Sequence, residues 1–319
     1  MASNKVVVCG AGFLGSHFAR AIASSTKSNC QVQISSRHPQ KIYDSILRKS
    51  PELVESGRLL PPVPGDITRP DTLKEMFKDA STVISLVGLM HGSPEDFDRI
   101  QHRGAENVAR AAQEAGAKLI HFSAIGADIG SDIPYFKTKG LGEKAVLVEN
   151  PKSTIVRPSL VFGPGDGFFS KFATMSSFMP FLPVFAGGTT KLQPVYVGDL
   201  ASLVEIISRN DPALRSIVDG KIVEAGGPNV LTYYEMMEIV LKCKKRYRPI
   251  LSLPYAFGIV QGFIMEKLPE NIFTLSRDQV KQLKLDNIVK SHDPSFRDLV
   301  EEYTGRKLAS VHDVLPTYL

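Results

Sequence analysis

Apolar and polar residues alternate along this chain in two rhythms. Short apolar runs at residues 6–9, 32–35, 59–63, 83–87, 119–123 and 154–157 read as buried strands. Residues 13–25, 70–78, 94–115 and 135–149 lie between them with helical spacing of their apolar positions. Strand and helix alternate through short connections, the pattern of a parallel sheet covered on both faces. The expected fold class is therefore α/β, a doubly wound parallel sheet. Residues 1–165 would form its core, with returns near 190–226 at residues 193–197 and 222–225. Residues 166–189 and 227–319 would form a small C-terminal lobe that carries substrate or partner contacts. Phe168, Phe169, Phe172, Phe178 and Met179 would fill the core of that lobe or line an apolar substrate site.

The first loop carries the most specific chemistry. Val6-Val7-Val8-Cys9 leads into Gly10-Ala11-Gly12-Phe13-Leu14-Gly15, a G-x-G-x-x-G spacing between a strand and a helix. In such a loop the first glycine makes a tight turn and the second lets the backbone approach a pyrophosphate. The third lets helix and strand pack closely, and the helix N-terminus faces the anion. The alternative is a glycine-rich corner that binds nothing. An NAD site places a carboxylate about 20 residues further on, against the ribose 2′-hydroxyl. Here the second strand ends in Ser35-Ser36-Arg37-His38-Pro39, with no acid before Asp44. Arg37 would pair with a 2′-phosphate and Ser36 or Ser35 could donate to it, which favours NADP(H) over NAD(H). Otherwise Arg37 is a solvated charge after an edge turn.

Composition narrows the remaining classes. A chain of 319 residues, 43% apolar, can bury a large core. The formal charge of +5 is modest and no basic cluster is interleaved with aromatics, so no nucleic-acid partner is expected. Cys9, Cys30 and Cys243 are isolated, and the seven histidines show no ligand spacing, so neither disulfides nor a metal is expected. The apolar stretch 249–265 is broken by Pro254, Gly258, Gln261 and Gly262. Residues 255–268 could instead lie on a membrane surface or a partner, or form a buried lobe helix. No secretory signal or presequence is visible ahead of Lys5.

Tyr135-Phe136-Lys137-Thr138-Lys139 is a Y-x-x-x-K after the fifth strand. Helical spacing puts the phenol and the ammonium on one face. A neighbouring cation lowers a phenol's pKa, so Tyr135 would act as acid or base near neutrality, while Lys139 could hold a ribose. His91 follows the fourth strand and is expected to be a partly exposed loop histidine. His102 and Arg103 are expected to be solvated.

Gly10 to Gly15, Asp66-Ile67, Gly88, Tyr135 with Lys139, and Arg157-Pro158-Ser159-Leu160-Val161-Phe162-Gly163-Pro164 together resemble an extended short-chain dehydrogenase/reductase. The likeness covers essentially the whole chain and implies a Rossmann sheet. By it, Asp66 and Ile67 would flank the adenine, and Gly88 would let the backbone pass the cofactor. Pro158 and Val161 would meet the nicotinamide carboxamide. A narrower likeness rests on His121-Phe122-Ser123-Ala124-Ile125-Gly126-Ala127-Asp128, Gly142-Glu143-Lys144 and Gln193-Pro194-Val195-Tyr196-Val197-Gly198-Asp199-Leu200. Ser276-Arg277-Asp278-Gln279-Val280 and the ending Val314-Leu315-Pro316-Thr317-Tyr318-Leu319 extend it. These are similar to the atypical branch that contains the NAD(P)-binding accessory subunit of respiratory complex I and a relative in fungal ubiquinone biosynthesis. The branch implies a mitochondrial protein on the matrix side of the inner membrane, with respiratory-chain or ubiquinone-synthesis proteins as partners.

The sequence departs from the wider family at its catalytic positions. Counting back from Gly104, Gln101 stands where an Asn is usual; counting on from Phe122, Ile125 stands where a Ser is usual. Ile125 donates no side-chain hydrogen bond. Ser123 points to the other side if the strand alternates normally, and serves only after a bulge. The glycine loop is also one residue shorter than the usual extended form. An intact cofactor loop beside an incomplete catalytic set leads to the expectation of a bound, chiefly structural NADP(H). The alternative is an active NADPH-dependent reductase or epimerase acting on an apolar, quinone-like carbonyl; a redox-state sensor is a third reading.

Overall fold

Seven strands make one parallel sheet in the computed structural model, which describes residues 4–265, 274, 276–291 and 293–319. In chain order they are β1 (Lys5–Cys9), β2 (Gln31–Ser36), β3 (Val63–Pro64), β4 (Ala80–Ser85), β5 (Lys118–Phe122), β6 (Thr154–Pro158) and β7 (Ile222–Ala225). Their spatial order is β7-β6-β5-β4-β1-β2-β3, every pair parallel. Val6, Val7, Val8 and Cys9 are all excluded from solvent. That fits a strand covered on both faces, which reads as a continuous apolar run.

The helices that cover this sheet are α1 (Phe13–Ala23), α2 (Gln40–Lys49), α3 (Pro70–Met76), α4 (Gly104–Glu114), α5 (Pro134–Glu149), α6 (Val197–Ser208) and α7 (Phe296–Thr304). On one face α1 packs on α6, and Phe18 of α1 meets Phe122 of β5 at a ring separation of 5.1 Å. On the other face Val108, Ala109 and Ala112 of α4, Val146 of α5 and Leu73 of α3 close over Val7, Cys9, Val83 and Leu119. The strand order reverses at β1, between β2 and β4. The chain ends of β1 and β4 therefore diverge and leave a crevice at the carboxyl edge, where ligands of open α/β sheets sit.

Several expectations are revised. Of the expected strand 59–63 only Val63 pairs within the sheet, and Leu59 makes an isolated bridge to Val32. Pro61 and Pro62 supply no N–H to a ladder. The expected helix 94–115 starts as Pro94–Phe97, continues as a π-helical turn Asp98–Arg103 and becomes α-helical only at Gly104. The return expected at 193–197 does not enter the sheet. Val195–Tyr196 pairs with Val161–Phe162, and α6 begins at Val197.

The first compact unit comprises Met1–Pro158, Val197–Ala225 and Ser291–Lys307. Residues 291–307, expected in the small lobe, thus belong with the sheet, because α7 packs on α6 and β7. The second unit comprises Ser159–Tyr196, Gly226–Lys290 and Leu308–Leu319. Its core joins Phe169, Phe172 and Met175 from the helix Phe169–Phe178 to Tyr233, Met236, Met237 and Val240 from the helix Tyr233–Cys243. The Phe/Met segment is therefore mainly core, with Phe178 exposed. Thr232 caps the helix Tyr233–Cys243 through a reciprocal pair with Glu235. The helix Tyr255–Met265 presents Phe257, Val260 and Phe263 to solvent, and residues 266–268 lie outside the described residues. Among the described residues no helix is long and apolar enough to cross a membrane.

Candidate dinucleotide site

The three loop glycines are needed for different reasons. Gly10 leaves β1 at φ +135°, and a Cβ there would lie 2.9 Å from the Leu86 Cβ. At Gly15 a Cβ would stand 1.9 Å from the Gly10 carbonyl oxygen, so any side chain would push α1 off the loop. Gly12 has ordinary extended backbone, φ −119°, and a Cβ on it meets nothing within 4 Å. Neither packing nor backbone conformation calls for glycine at this position. In a strand–loop–helix turn of this kind, a glycine at the second position leaves room for a ligand to come close to the backbone. Gly12 is also the N-cap of α1 and offers no side-chain cap. The first-turn N–H groups of half-buried Phe13 and Leu14, and of Gly15, then suit an anion.

At the end of β2 the two serines separate. Ser35 is buried and accepts from Gln33 Nε2 at 2.8 Å, whereas Ser36 lies at the loop, where its hydroxyl accepts from the His38 N–H at 3.2 Å. Arg37 is exposed, and its charge reaches Asp66. Burial alone would raise the Asp66 carboxyl, but it sits below its ordinary value. The Thr68 N–H and hydroxyl bond it, and Arg37 and Arg99 add positive charge. Ile67 is buried with its side chain against Gly104, and its carbonyl accepts from Asn107 Nδ2 at 2.9 Å.

Gly88 follows β4. A Cβ there would lie 3.2 Å from Lys139 Nζ and 3.5 Å from Gln101 Oε1, so the glycine lets both polar ends come up to the loop. Lys139 of α5 is buried; its Nζ donates to the Phe122 carbonyl at 3.1 Å. Burial lowers its pKa to about 8, against the opposing charge of Glu143. Tyr135 is buried too, edge-on to Phe97 and Phe136, and burial pushes its phenol up to about 12. The expected phenol titrating near neutrality is therefore corrected. In this protein loss of solvation outweighs any help from the ammonium.

The rest of the donor set is incomplete. The Gln101 side chain is turned inward by the π-helical turn and donates from Nε2 to Thr138 Oγ1 at 3.2 Å. Ile125 is buried, with its backbone N–H on the Pro158 carbonyl at 3.1 Å. Ser123 is buried and its hydroxyl has no partner among the described residues. Pro158 closes β6, whereas Val161 lies in the second unit on the strand Val161–Phe162. His91 is half-buried in the loop after β4. His102 and Arg103 are not simply solvated, because both bond Asp98, at 2.8 and 2.9 Å. Among the described residues no group of metal-ligating side chains forms.

Two features escaped the sequence reading. Arg157 of β6 bonds Glu143 of α5 twice, at 2.7 and 2.5 Å, and lies 3.6 Å from Glu224 of β7. All three come from separate elements, so no local spacing announces them. His121 of β5 is the other, buried beside Lys139.

These features define a dinucleotide-binding α/β protein with a tyrosine–lysine helix beside its crevice. The sequence profile described as the NAD dependent epimerase/dehydratase family matches residues 6–219, and the chain belongs to that family. It is 30% identical over 300 residues to NADH dehydrogenase [ubiquinone] 1 alpha subcomplex subunit 9, mitochondrial, of Arabidopsis thaliana, covering 90% of this chain and 71% of that protein. It is 32% identical over 200 residues to the ceramide reductase of Caulobacter vibrioides, covering 62% of this chain and 58% of that one. The crystal structure of Citrobacter sp. triphenylmethane reductase complexed with NADP(H) superposes with a TM-score of 0.72 at 17% identity. That alignment covers 99% of this chain and all of that one, a likeness of fold.

Proposed function

We propose that this chain is an NADP(H)-binding, short-chain-dehydrogenase-like mitochondrial protein that supports respiratory complex I or ubiquinone synthesis, with the dinucleotide in a chiefly structural role. The observation that carries this reading is the contrast within one site. Gly12 is free of any packing demand for glycine, while Ile125 supplies no side-chain donor and the Gln101 amide is committed to Thr138. Gly10, Gly12, Gly15 and the first turn of α1 would hold the pyrophosphate, Ser36 and Arg37 the 2′-phosphate, and Lys139 a ribose. When bound, the dinucleotide would supply a nicotinamide able to exchange hydride. A ligand that binds only the folded state stabilises it by about 2.7 kcal/mol at a hundredfold excess over Kd. Native mass spectrometry and thermal melts test this. Retained NADP(H), or a melting temperature raised by NADPH, is expected; nucleotide-free protein indifferent to NADPH refutes it.

The preference for the phosphorylated cofactor rests on exposed Arg37 and the absence of an acid at the end of β2. Arg37→Ala removes a charge-assisted phosphate contact of roughly 1.5–3 kcal/mol. NADPH affinity is expected to fall by about 10- to 100-fold and NADH affinity by less than about threefold in the same titration.

Placement in mitochondria beside complex I is supported by the similarity to mitochondrial complex I subunits; the matrix side of the inner membrane and ubiquinone-synthesis partners are further parts of the proposal. Affinity purification from mitochondrial membranes distinguishes the two partner sets. A peripheral membrane contact through residues 255–268 is supported by exposed Phe257, Val260 and Phe263, and co-sedimentation with anionic vesicles tests it.

A working reductase on an apolar carbonyl is the second reading, favoured by the similarity to a ceramide reductase. Tyr135 would then give its proton to the carbonyl oxygen as it is reduced. A phenol held near 12 remains protonated at neutral pH, as a donor requires. Tyr135→Phe is expected to abolish any NADPH oxidation by quinone-precursor extracts; unchanged turnover eliminates this mechanism.

A further inference from the structure

Lys139 brings a buried ammonium to the loop after β4, and one hydrogen bond of the described structure receives it, at the Phe122 carbonyl. An ammonium carries three donors. Two buried side chains next to it hold acceptors that nothing among the described residues uses. His121 directly precedes Phe122, is 2% exposed, and neither of its ring nitrogens has a hydrogen-bond partner among the described residues. Burial, and then the Lys139 charge, lower its pKa to about 3, so the imidazole is neutral and one nitrogen keeps its lone pair. Phe122 turns its ring to Phe18 of α1, so strand alternation sends His121 to the opposite face. The second acceptor is Gln101 Oε1, also buried and without a partner among the described residues, which shares with Lys139 Nζ the space beside Gly88.

An unpaired buried polar atom is destabilising, and sheet and helix positions as apolar as these accept a leucine or a phenylalanine without that loss. A histidine here calls for a partner, and the ammonium has donors to spare. The other ionisable groups around Lys139 do not compete. Glu143, one turn along α5, is held by Arg157 in two hydrogen bonds, and the Tyr135 phenol stays protonated.

We propose that His121 is a positioning residue for Lys139. Its lone-pair nitrogen accepts from the ammonium through one buried water, and together with the Phe122 carbonyl and Gln101 Oε1 it forms a three-point neutral cradle. The cradle fixes where the Lys139 charge sits and helps keep the side chain charged despite its burial. Its use, to hold Lys139 in place until a ribose hydroxyl of the bound dinucleotide takes over the N–H that Gln101 Oε1 accepts, rests on the function proposed above; the cradle itself does not.

The test follows Lys139 directly, by lysine ε-13C NMR titration of the nucleotide-free protein, with Lys139→Arg assigning the resonance. His121→Phe removes the acceptor and is expected to move the Lys139 midpoint down by about one pH unit, while His121→Gln, which keeps an acceptor, restores most of it. Gln101→Leu is the companion variant and is expected to lower the midpoint as well. It supplies the comparison should His121→Phe fail to fold. In parallel, NADPH affinity is expected to fall about fivefold in His121→Phe at pH 8, where the charged fraction of Lys139 drops from about one half to about one eleventh, and to recover near pH 6, where Lys139 is charged in both proteins. An unchanged midpoint in the folded His121→Phe or Gln101→Leu protein overturns the proposal, as does His121→Gln behaving like His121→Phe. Wild-type protein that binds no dinucleotide refutes the function proposed above and leaves the NMR titration to decide the cradle.

Discussion

Gly12→Val is expected to fold as the wild type does and to lose dinucleotide affinity by about a hundredfold or more, equivalent to about 3 kcal/mol. The backbone at Gly12 is already in a region open to valine, and a Cβ there meets no protein atom within 4 Å. The nucleotide-free melting temperature should therefore stay within roughly 2 °C of wild type, as for other substitutions that disturb no packing. A branched side chain over the first turn of α1 blocks the approach of a pyrophosphate to the N–H groups. Gly15→Ala is the contrasting variant. Its Cβ would lie 1.9 Å from the Gly10 carbonyl oxygen, a backbone atom held by the β1–α1 turn. The helix has to move, so Gly15→Ala should lower the melting temperature whether or not nucleotide is present. Differential scanning fluorimetry with and without NADPH measures both. A Gly12→Val protein that still gains stability from NADPH would show that the loop is not where the cofactor lies.

Arg157→Met is expected to destabilise the first unit by about 3–5 kcal/mol. Arg157 is anchored by two short bonds to Glu143, and the side chains of Glu143 and Glu224 are 6% and 8% exposed. Methionine matches the length of the lost side chain, so packing is largely kept. What remains is a buried Glu143 carboxylate without its counter-ion, and uncompensated charge is the costly part of a broken buried pair. Glu143→Gln combined with Arg157→Met should recover much of the loss, because the double variant buries no unpaired charge at α5. Urea unfolding, read on the first transition, checks both. A single variant within about 1 kcal/mol of wild type would mean that water reaches the pair and screens it. The triad matters to the site because Glu143 lies one helical turn from Lys139 and Arg157 directly precedes Pro158.

Much of the fold was legible because its signals are local. A continuous apolar run marked β1, since a strand covered on both faces has no solvent side to make polar, and shorter apolar runs interrupted by Ser85 and His121 marked β4 and β5. The glycine spacing announced the β1–α1 turn, since only glycine tolerates a neighbouring carbonyl at under 2 Å from its Cβ position. Where local signals conflicted, the reading failed in understandable places. Leu59, Leu60 and Val63 look like a strand by hydrophobicity, yet Pro61 and Pro62 deny it a ladder. Apolar periodicity through 94–115 is uninterrupted, so it did not reveal that one stretch winds as a π-helical turn that carries Gln101 inward.

Electrostatics were the least legible. The Y-x-x-x-K spacing correctly put Tyr135 and Lys139 on one helix, but the spacing holds no information about burial. It was burial that raised the phenol to about 12 and lowered the ammonium to about 8. The assignment of α7 to the sheet unit, the Glu143–Arg157–Glu224 triad and the neighbourhood of His121 and Lys139 all join residues far apart in sequence.

The sequence by itself thus determined the parallel α/β fold, the family and the tight glycine turn between β1 and α1, because strand runs, helix periods and turn glycines are each written within about 15 residues. Only the tertiary structure decided which glycine is free for a ligand, which charges are paired and what state the tyrosine and lysine are in. Those properties depend on solvent exclusion and on neighbours brought in by other elements, and no stretch of sequence contains its own neighbours.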